Sequence, residues 1–89
     1  MTFTVLLHPK AAKELNKTPK TIKDRIIEHA KELRENPHKL GKPLRQSNFW
    51  SSRIGEYRII YEIDVKENRV IILFVGHRSK VYDDFSKML

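Results

Sequence analysis

Between Trp50 and Tyr82 the residues alternate so regularly that little besides a β-sheet can house them. Tyr57, Ile59, Tyr61 and Ile63 fall on one side of an extended backbone, and Arg58, Ile60 and Glu62 on the other. Residues 70–75 (Val-Ile-Ile-Leu-Phe-Val) are apolar on both sides, the pattern of a strand covered at least in part on both faces. Residues 49–54 precede them as a further strand, and Gly55 and Glu56 supply the tight turn into residues 56–64. Two of these strands carry an arginine where a buried strand favours none: Arg58 within the alternation, and Arg78 just past Gly76 and His77. An arginine on an open sheet face and another at a strand end can converge on one anion.

Upstream, Phe3, Val5 and Leu7 alternate with Thr2, Thr4 and Leu6, which predicts a first strand. Pro9 is tolerated in a first helical turn, so a short helix is expected over about 9–16 with Ala12 and Leu15 inward. Thr18 as N-cap and Pro19 as first helical residue open a second helix, in which Ile22, Ile26, Ala30 and Leu33 share a face. Pro37 disfavours helical geometry at Asn36 and stops that helix near Glu35. The basic stretch 38–45 reads as a loop tethered by Leu40 and Leu44, and a loop near residues 66–68 joins the last two strands. Ser79 is the expected cap of a terminal helix on which Val81, Phe85 and Met88 share a face. The sum is one α+β domain over residues 1–89, ordered β-α-α-β-β-β-α, with a helical hairpin packed on a largely antiparallel four-stranded sheet. The pattern leaves the place of the first strand in that sheet open.

A chain of 89 residues has room for a single modest core. It has no cysteine, which excludes disulfides, thiol catalysis and thiolate metal sites. No run approaches the about 18 apolar residues of a membrane span, so no membrane association is expected, and the start lacks the features of a signal peptide. The net charge of +7 has two readings, a polyanionic partner or lysines that keep the domain dissolved. No glycine-rich phosphate loop occurs, and His8, His29, His38 and His77 are scattered over several elements, so neither a metal nor a cofactor is expected. The adjacent Asp83 and Asp84 do not face each other on a helix, which leaves two-carboxylate hydrolysis unsupported. Arginine, tyrosine and lysine remain. Arginine stabilises the charge of a pentavalent phosphorane, and RNA carries its own nucleophile in the 2′-hydroxyl. Tyrosine is a weak base near neutrality, its unperturbed pKa being about 10, and neighbouring cations favour its phenolate.

The ordered string Trp50-x-x-Arg53-x-Gly55-x-Tyr57-Arg58-Ile-Ile-Tyr61, followed by Val75-Gly76-His77-Arg78 and Val81-Tyr82, resembles the RelE toxins of the RelE/ParE superfamily, the small basic halves of toxin–antitoxin pairs. The likeness continues upstream through a short strand, a helical pair and an Asn36-Pro37 stop before Leu44-Arg45, and so covers nearly all of the chain. It implies a cytoplasmic, ribosome-dependent endoribonuclease, an mRNA interferase that cuts messenger RNA in the decoding site by metal-free attack of the 2′-hydroxyl and so inhibits translation. It implies as partner an acidic RelB-like antitoxin, bound in a hetero-oligomer. By the same likeness Arg58 grips the scissile phosphate, Tyr82 accepts the 2′-proton, Arg78 assists the leaving oxygen and Arg53 supports the charge. Arg45, His77 and Lys80 are the further residues expected at the RNA. One departure stands out: many relatives carry a second basic residue two positions before the one matched by Arg53, and here that position is Ser51.

Each of these residues also has an ordinary structural reading. Arg58 can pair with Glu62, its same-face neighbour, and Arg53 can be an edge-strand charge that discourages aggregation. Tyr82, spaced with Phe85 and Leu89, can be a core aromatic; Trp50 can pack inward or stack on a base; Lys13, Lys17 and Lys20 can form a solvated stripe or dock on ribosomal RNA. His77 alternates away from Arg78, which fits a structural role better. Two other functions stay open, a ParE-like inhibitor of DNA gyrase on the same fold and a non-catalytic RNA-binding module.

Overall fold

The computed structural model describes residues 2–44 and 47–87, the side chain of Asp84 excepted. Its elements are β1 (Thr4–Leu7), α1 (Pro9–Lys17), α2 (Lys20–Leu33), β2 (Lys42–Pro43), β3 (Phe49–Ile54), β4 (Tyr57–Asp64), β5 (Arg69–His77) and α3 (Val81–Ser86). The sheet is five-stranded in the order β1-β5-β4-β3-β2. The β3–β4–β5 meander is antiparallel, while β1 joins β5 in parallel, Thr4 opposite Arg69 and Leu7 opposite Ile72. The α+β class stands, and the strand count rises from the expected four to five. The added strand, β2, is two residues of the basic connector, too short for any alternation to betray it.

The alternation in β4 sorts its side chains as expected. Ile59 and Tyr61 join Ile54, Val70, Ile72 and Val75 in the main core, which the hairpin closes with Ala11, Leu15, Ile26 and Leu33. The opposite face holds a smaller cluster of Ile60 and Phe74 under Val81 and Phe85 of α3. Gly76 permits that contact, for a Cβ there would stand 3.2 Å from the Val81 Cβ. No helix among the described residues is long and apolar enough to cross a membrane.

Three local expectations change. Thr18 closes α1 instead of opening α2: its hydroxyl donates to the Glu14 carbonyl at 2.8 Å and its N–H to Leu15 at 3.1 Å. The short connection leaves that hydroxyl nearest the freed carbonyls of the preceding turn, and Pro19 becomes the N-cap of α2, accepting from the Lys23 N–H at 2.8 Å. Ala11, not Ala12, is the buried partner of Leu15, since i and i+4 share the inner face of α1. Ser79 does not cap α3, because its hydroxyl turns back to His77 Nδ1 at 2.8 Å and Lys80 takes the cap position. Met88 and Leu89, expected on the inner face of the last helix, lie outside the described residues.

Candidate phosphate-binding cleft

The cleft lies on the α3 face of the sheet. In β3 the side chains of Phe49, Ser51 and Arg53 point to this face, and in β4 those of Arg58, Ile60 and Glu62. Arg53 and Arg58 are direct cross-strand partners. Like charges in that relation repel, so the pair opposes sheet formation unless an anion lies between them. Both line a concavity of about 580 Å³ together with Lys39, Leu40, Gly41, Lys42, Leu44, Ser51, Ser52 and Tyr82. Among the described residues that lining contains four cations and no carboxylate. A smaller concavity of about 370 Å³ on the α2 side of β3 mixes Asp24, Glu28 and Glu32 with Arg25 and Arg53. Its acids would repel an anion, which makes the first cleft the better phosphate site.

Arg58 is half-buried, and its guanidinium carbon stands 5.8 Å from the centroid of the Tyr82 ring. At that distance the ring face attracts the cation, which favours keeping the guanidinium beside Tyr82. Among the described residues Arg58 forms no ion pair, and Glu62 does not engage it. The Tyr82 hydroxyl lies 2.9 Å from Ser51 Oγ across the cleft. Tyr82 thus stands 40% exposed over the cleft, while its helix neighbours Val81 and Phe85 fill the core beneath. Arg53 is exposed, and its Nε donates to the Gly55 carbonyl at 3.0 Å, which holds the stem along the turn.

The remaining expected residues lie elsewhere. Arg78 is exposed beyond the end of β5 and outside the lining of the cleft; its N–H donates to Glu56 at 2.8 Å. His77 is paired with Tyr57, on the side opposite Arg58. Its Nδ1 accepts from the Ser79 N–H at 3.2 Å, its Nε2 is 3.5 Å from Glu56, and its ring meets that of Tyr57 edge-on at 5.5 Å. Lys80 is exposed at the cap of α3, and Arg45 lies outside the described residues. Trp50 packs against the main core, edge-on to the His38 ring at 5.4 Å. Lys17 and Lys20 are exposed on the hairpin, paired with Glu14 and Asp24.

Three lining residues escaped the sequence reading: Lys39, Lys42 and Ser51 in its role as partner of Tyr82. The signal for the lysines was present in the basic composition of 38–45. What hid them was the loop assignment, because a loop lysine reads as a solvated charge.

The family described as ParE toxin of type II toxin–antitoxin systems (parDE) matches residues 5–82. Toxin RelG of Mycobacterium tuberculosis is 38% identical over 85 residues, an alignment covering 92% of this chain and 98% of the relative. Toxin RelE of the same organism is 37% identical over 83 residues, covering 90% and 86%. Among solved structures, the M. tuberculosis toxin–antitoxin complex RelBE2 contains a chain that superposes with a TM-score of 0.82 at 37% identity, covering 88% of this chain and all of that one. An archaeal RelE–RelB complex from Pyrococcus horikoshii gives 0.73 at 25% identity, covering 91% and 100%. The free-state structure of a mutant Escherichia coli toxin RelE gives 0.82 at 21% identity, a likeness of fold alone.

Proposed function

The chain is a type II toxin–antitoxin toxin belonging to the RelE family of the RelE/ParE superfamily, and on that premise we propose that it is a ribosome-dependent endoribonuclease cutting messenger RNA at the cleft between β3, β4 and α3. The observation that carries this reading is the arginine pair, Arg53 opposite Arg58, in a cleft whose described lining holds no carboxylate, beside the hydroxyl of Tyr82. In this reading the RNA 2′-oxygen attacks phosphorus, the P–O5′ bond breaks, and the products are a 2′,3′-cyclic phosphate and a 5′-hydroxyl. Tyr82 acts as the phenolate, to which Ser51, 2.9 Å away, donates a hydrogen bond, and its Oη takes the 2′-proton to become the neutral phenol. Arg58 and Arg53 hold the phosphorane, where negative charge peaks. Arg78, exposed outside the lining and two residues beyond the β5 partner of Arg58, is assigned the leaving 5′-oxygen on condition that its side chain swings towards the cleft, and that oxygen is reprotonated by water. His77 and Lys80, one at the end of β5 and the other at the cap of α3, are assigned to flanking RNA. A tyrosine is a weak base near neutrality, and an enzyme relying on one gains most from a ribosome that aligns the message for it.

The partner in this reading is an acidic RelB-like antitoxin wrapping the basic domain, as the complexes of the M. tuberculosis and archaeal relatives suggest. The family description keeps a second reading in view, a ParE-like block of DNA gyrase. A translation extract programmed with a defined message, run beside a gyrase supercoiling assay, separates them. The nuclease reading expects message cut at discrete positions and unimpaired supercoiling. Intact message with lost supercoiling points to the gyrase inhibitor, and neither effect to an RNA-binding module.

A further inference from the structure

We propose that Lys42 is a phosphate-binding residue of this cleft, contributed by the edge strand β2 to face Ser51 and Tyr82. The proposal rests on the nuclease reading and extends its cationic wall to an element that carries none of the residues assigned above. Lys42 is the antiparallel partner of Ser51. Directly opposed residues share a face, their Cβ atoms about 4.5–5.5 Å apart. Ser51 is the residue whose hydroxyl lies 2.9 Å from that of Tyr82. The stem of Lys42 therefore starts one strand away from the anchor of the tyrosine, on the cleft side, and Lys42 lines the cleft opposite Arg58. A four-carbon stem lets its ammonium swing over the opening, and among the described residues no carboxylate pairs with it.

The backbone beneath Lys42 is fixed, which separates it from an ordinary loop lysine. The buried Tyr61 hydroxyl donates to the Pro37 carbonyl at 2.8 Å, and Ser52 Oγ donates to the Leu40 carbonyl at 2.6 Å. Gly41 lies so close to the sheet that a Cβ there would overlap the Tyr61 hydroxyl and stand 2.7 Å from the Ser51 carbonyl. Pro43 is then paired with Trp50. A cation held on such a platform, among others of its own sign, keeps a mutual repulsion that only an anion relieves. The backbone of a single RNA strand supplies such anions.

The test is single-turnover cleavage on programmed ribosomes by the wild type, Lys42→Ala, Lys42→Arg and Lys66→Ala, the last removing a lysine of the distant β4–β5 turn. Lys42→Ala should slow cleavage about tenfold or more with an unchanged melting temperature, Lys42→Arg should restore most of the rate, and Lys66→Ala should cleave normally. Wild-type cleavage alongside an unimpaired Lys42→Ala, or a Lys42→Arg as slow as the alanine variant, overturns the proposal and leaves the nuclease reading standing. A wild type that leaves the message intact removes the nuclease reading, and this proposal with it.

Discussion

The two faces of the sheet are built from the same three strands and have opposite characters. On the hairpin face every inward position of β4 from Ile59 to Tyr61 is sealed, and the buried hydroxyls admitted there, those of Tyr61 and Ser52, are both hydrogen-bonded. On the α3 face the six-residue helix covers Ile60, Phe74 and their neighbours, and the strip carrying Arg53 and Arg58 stays open. A long hairpin is a roof and a short helix is a lintel. Arginines can persist on the second face because water still reaches them, whereas full burial of an unpaired charge is prohibitive. The asymmetry thus divides labour: one face supplies stability, the other tolerates the repulsion that a phosphate site needs.

The largest effect belongs to Arg58. Arg58→Ala should lower single-turnover cleavage about a hundred- to a thousandfold, with ribosome affinity changing less and the melting temperature nearly constant. Tyr82→Phe, keeping the ring against Arg58, should lose rate while preserving fold and docking. A Tyr82→Phe protein that cleaves at the wild-type rate would falsify the assignment of the base.

Substitutions on the sealed face should act on stability. Gly41→Ala forces a methyl group against Tyr61 and should destabilise by about 1–3 kcal/mol, read as a lowered midpoint in urea; a stability equal to wild type would show that the connector yields. Tyr61→Phe removes one buried hydrogen bond at a cost of about 0.5–1.5 kcal/mol. Burial pushes the Tyr61 hydroxyl up to about 12. Its folded pKa is raised, so the associated stability is complete below about pH 10 and is lost as pH rises through the folded value. The Tyr61→Phe variant should show a shallower alkaline decline, checked by denaturation from pH 9 to pH 11.

The smallest effect belongs to His29. Its Nε2 lies 2.6 Å from Ser52 Oγ, and because that hydroxyl donates to Leu40, the histidine nitrogen is the donor. Desolvation holds the His29 pKa below its usual value. The unfolded chain then binds more protons in the window below about pH 6.5, so stability falls as pH drops through it. His29→Gln keeps a donor near the same place and should flatten that acid slope; an unchanged slope between pH 7 and pH 5 would assign it to other groups.

Much of this arrangement was readable in advance, and for identifiable reasons. The period-two alternation of residues 57–63 assigned Tyr61 to one face and Arg58 to the other, because a strand offers a side chain no third direction. The helical stripe from Ile22 to Leu33 and the stop before Pro37 were equally explicit. Residues 38–45 were opaque because their order comes from distant groups: the Tyr61 hydroxyl, the Ser52 hydroxyl and the absence of a Cβ at Gly41. The caps at Thr18 and Ser79 misled for a related reason, since a hydroxyl can satisfy the turn before it as readily as the turn after.

The parallel pairing of β1 with β5 has a kinetic meaning. Residues 4–7 find their partners only at 69–72, across almost the whole domain, so loop closure opposes that contact until the intervening meander exists. Along the chain the Arg53–Arg58 hairpin precedes β5, and Tyr82 follows on α3, after every strand. On the nuclease reading, a partly synthesised molecule is therefore inert towards the message that encodes it. On that reading the first possible cut waits for the segment that carries Tyr82.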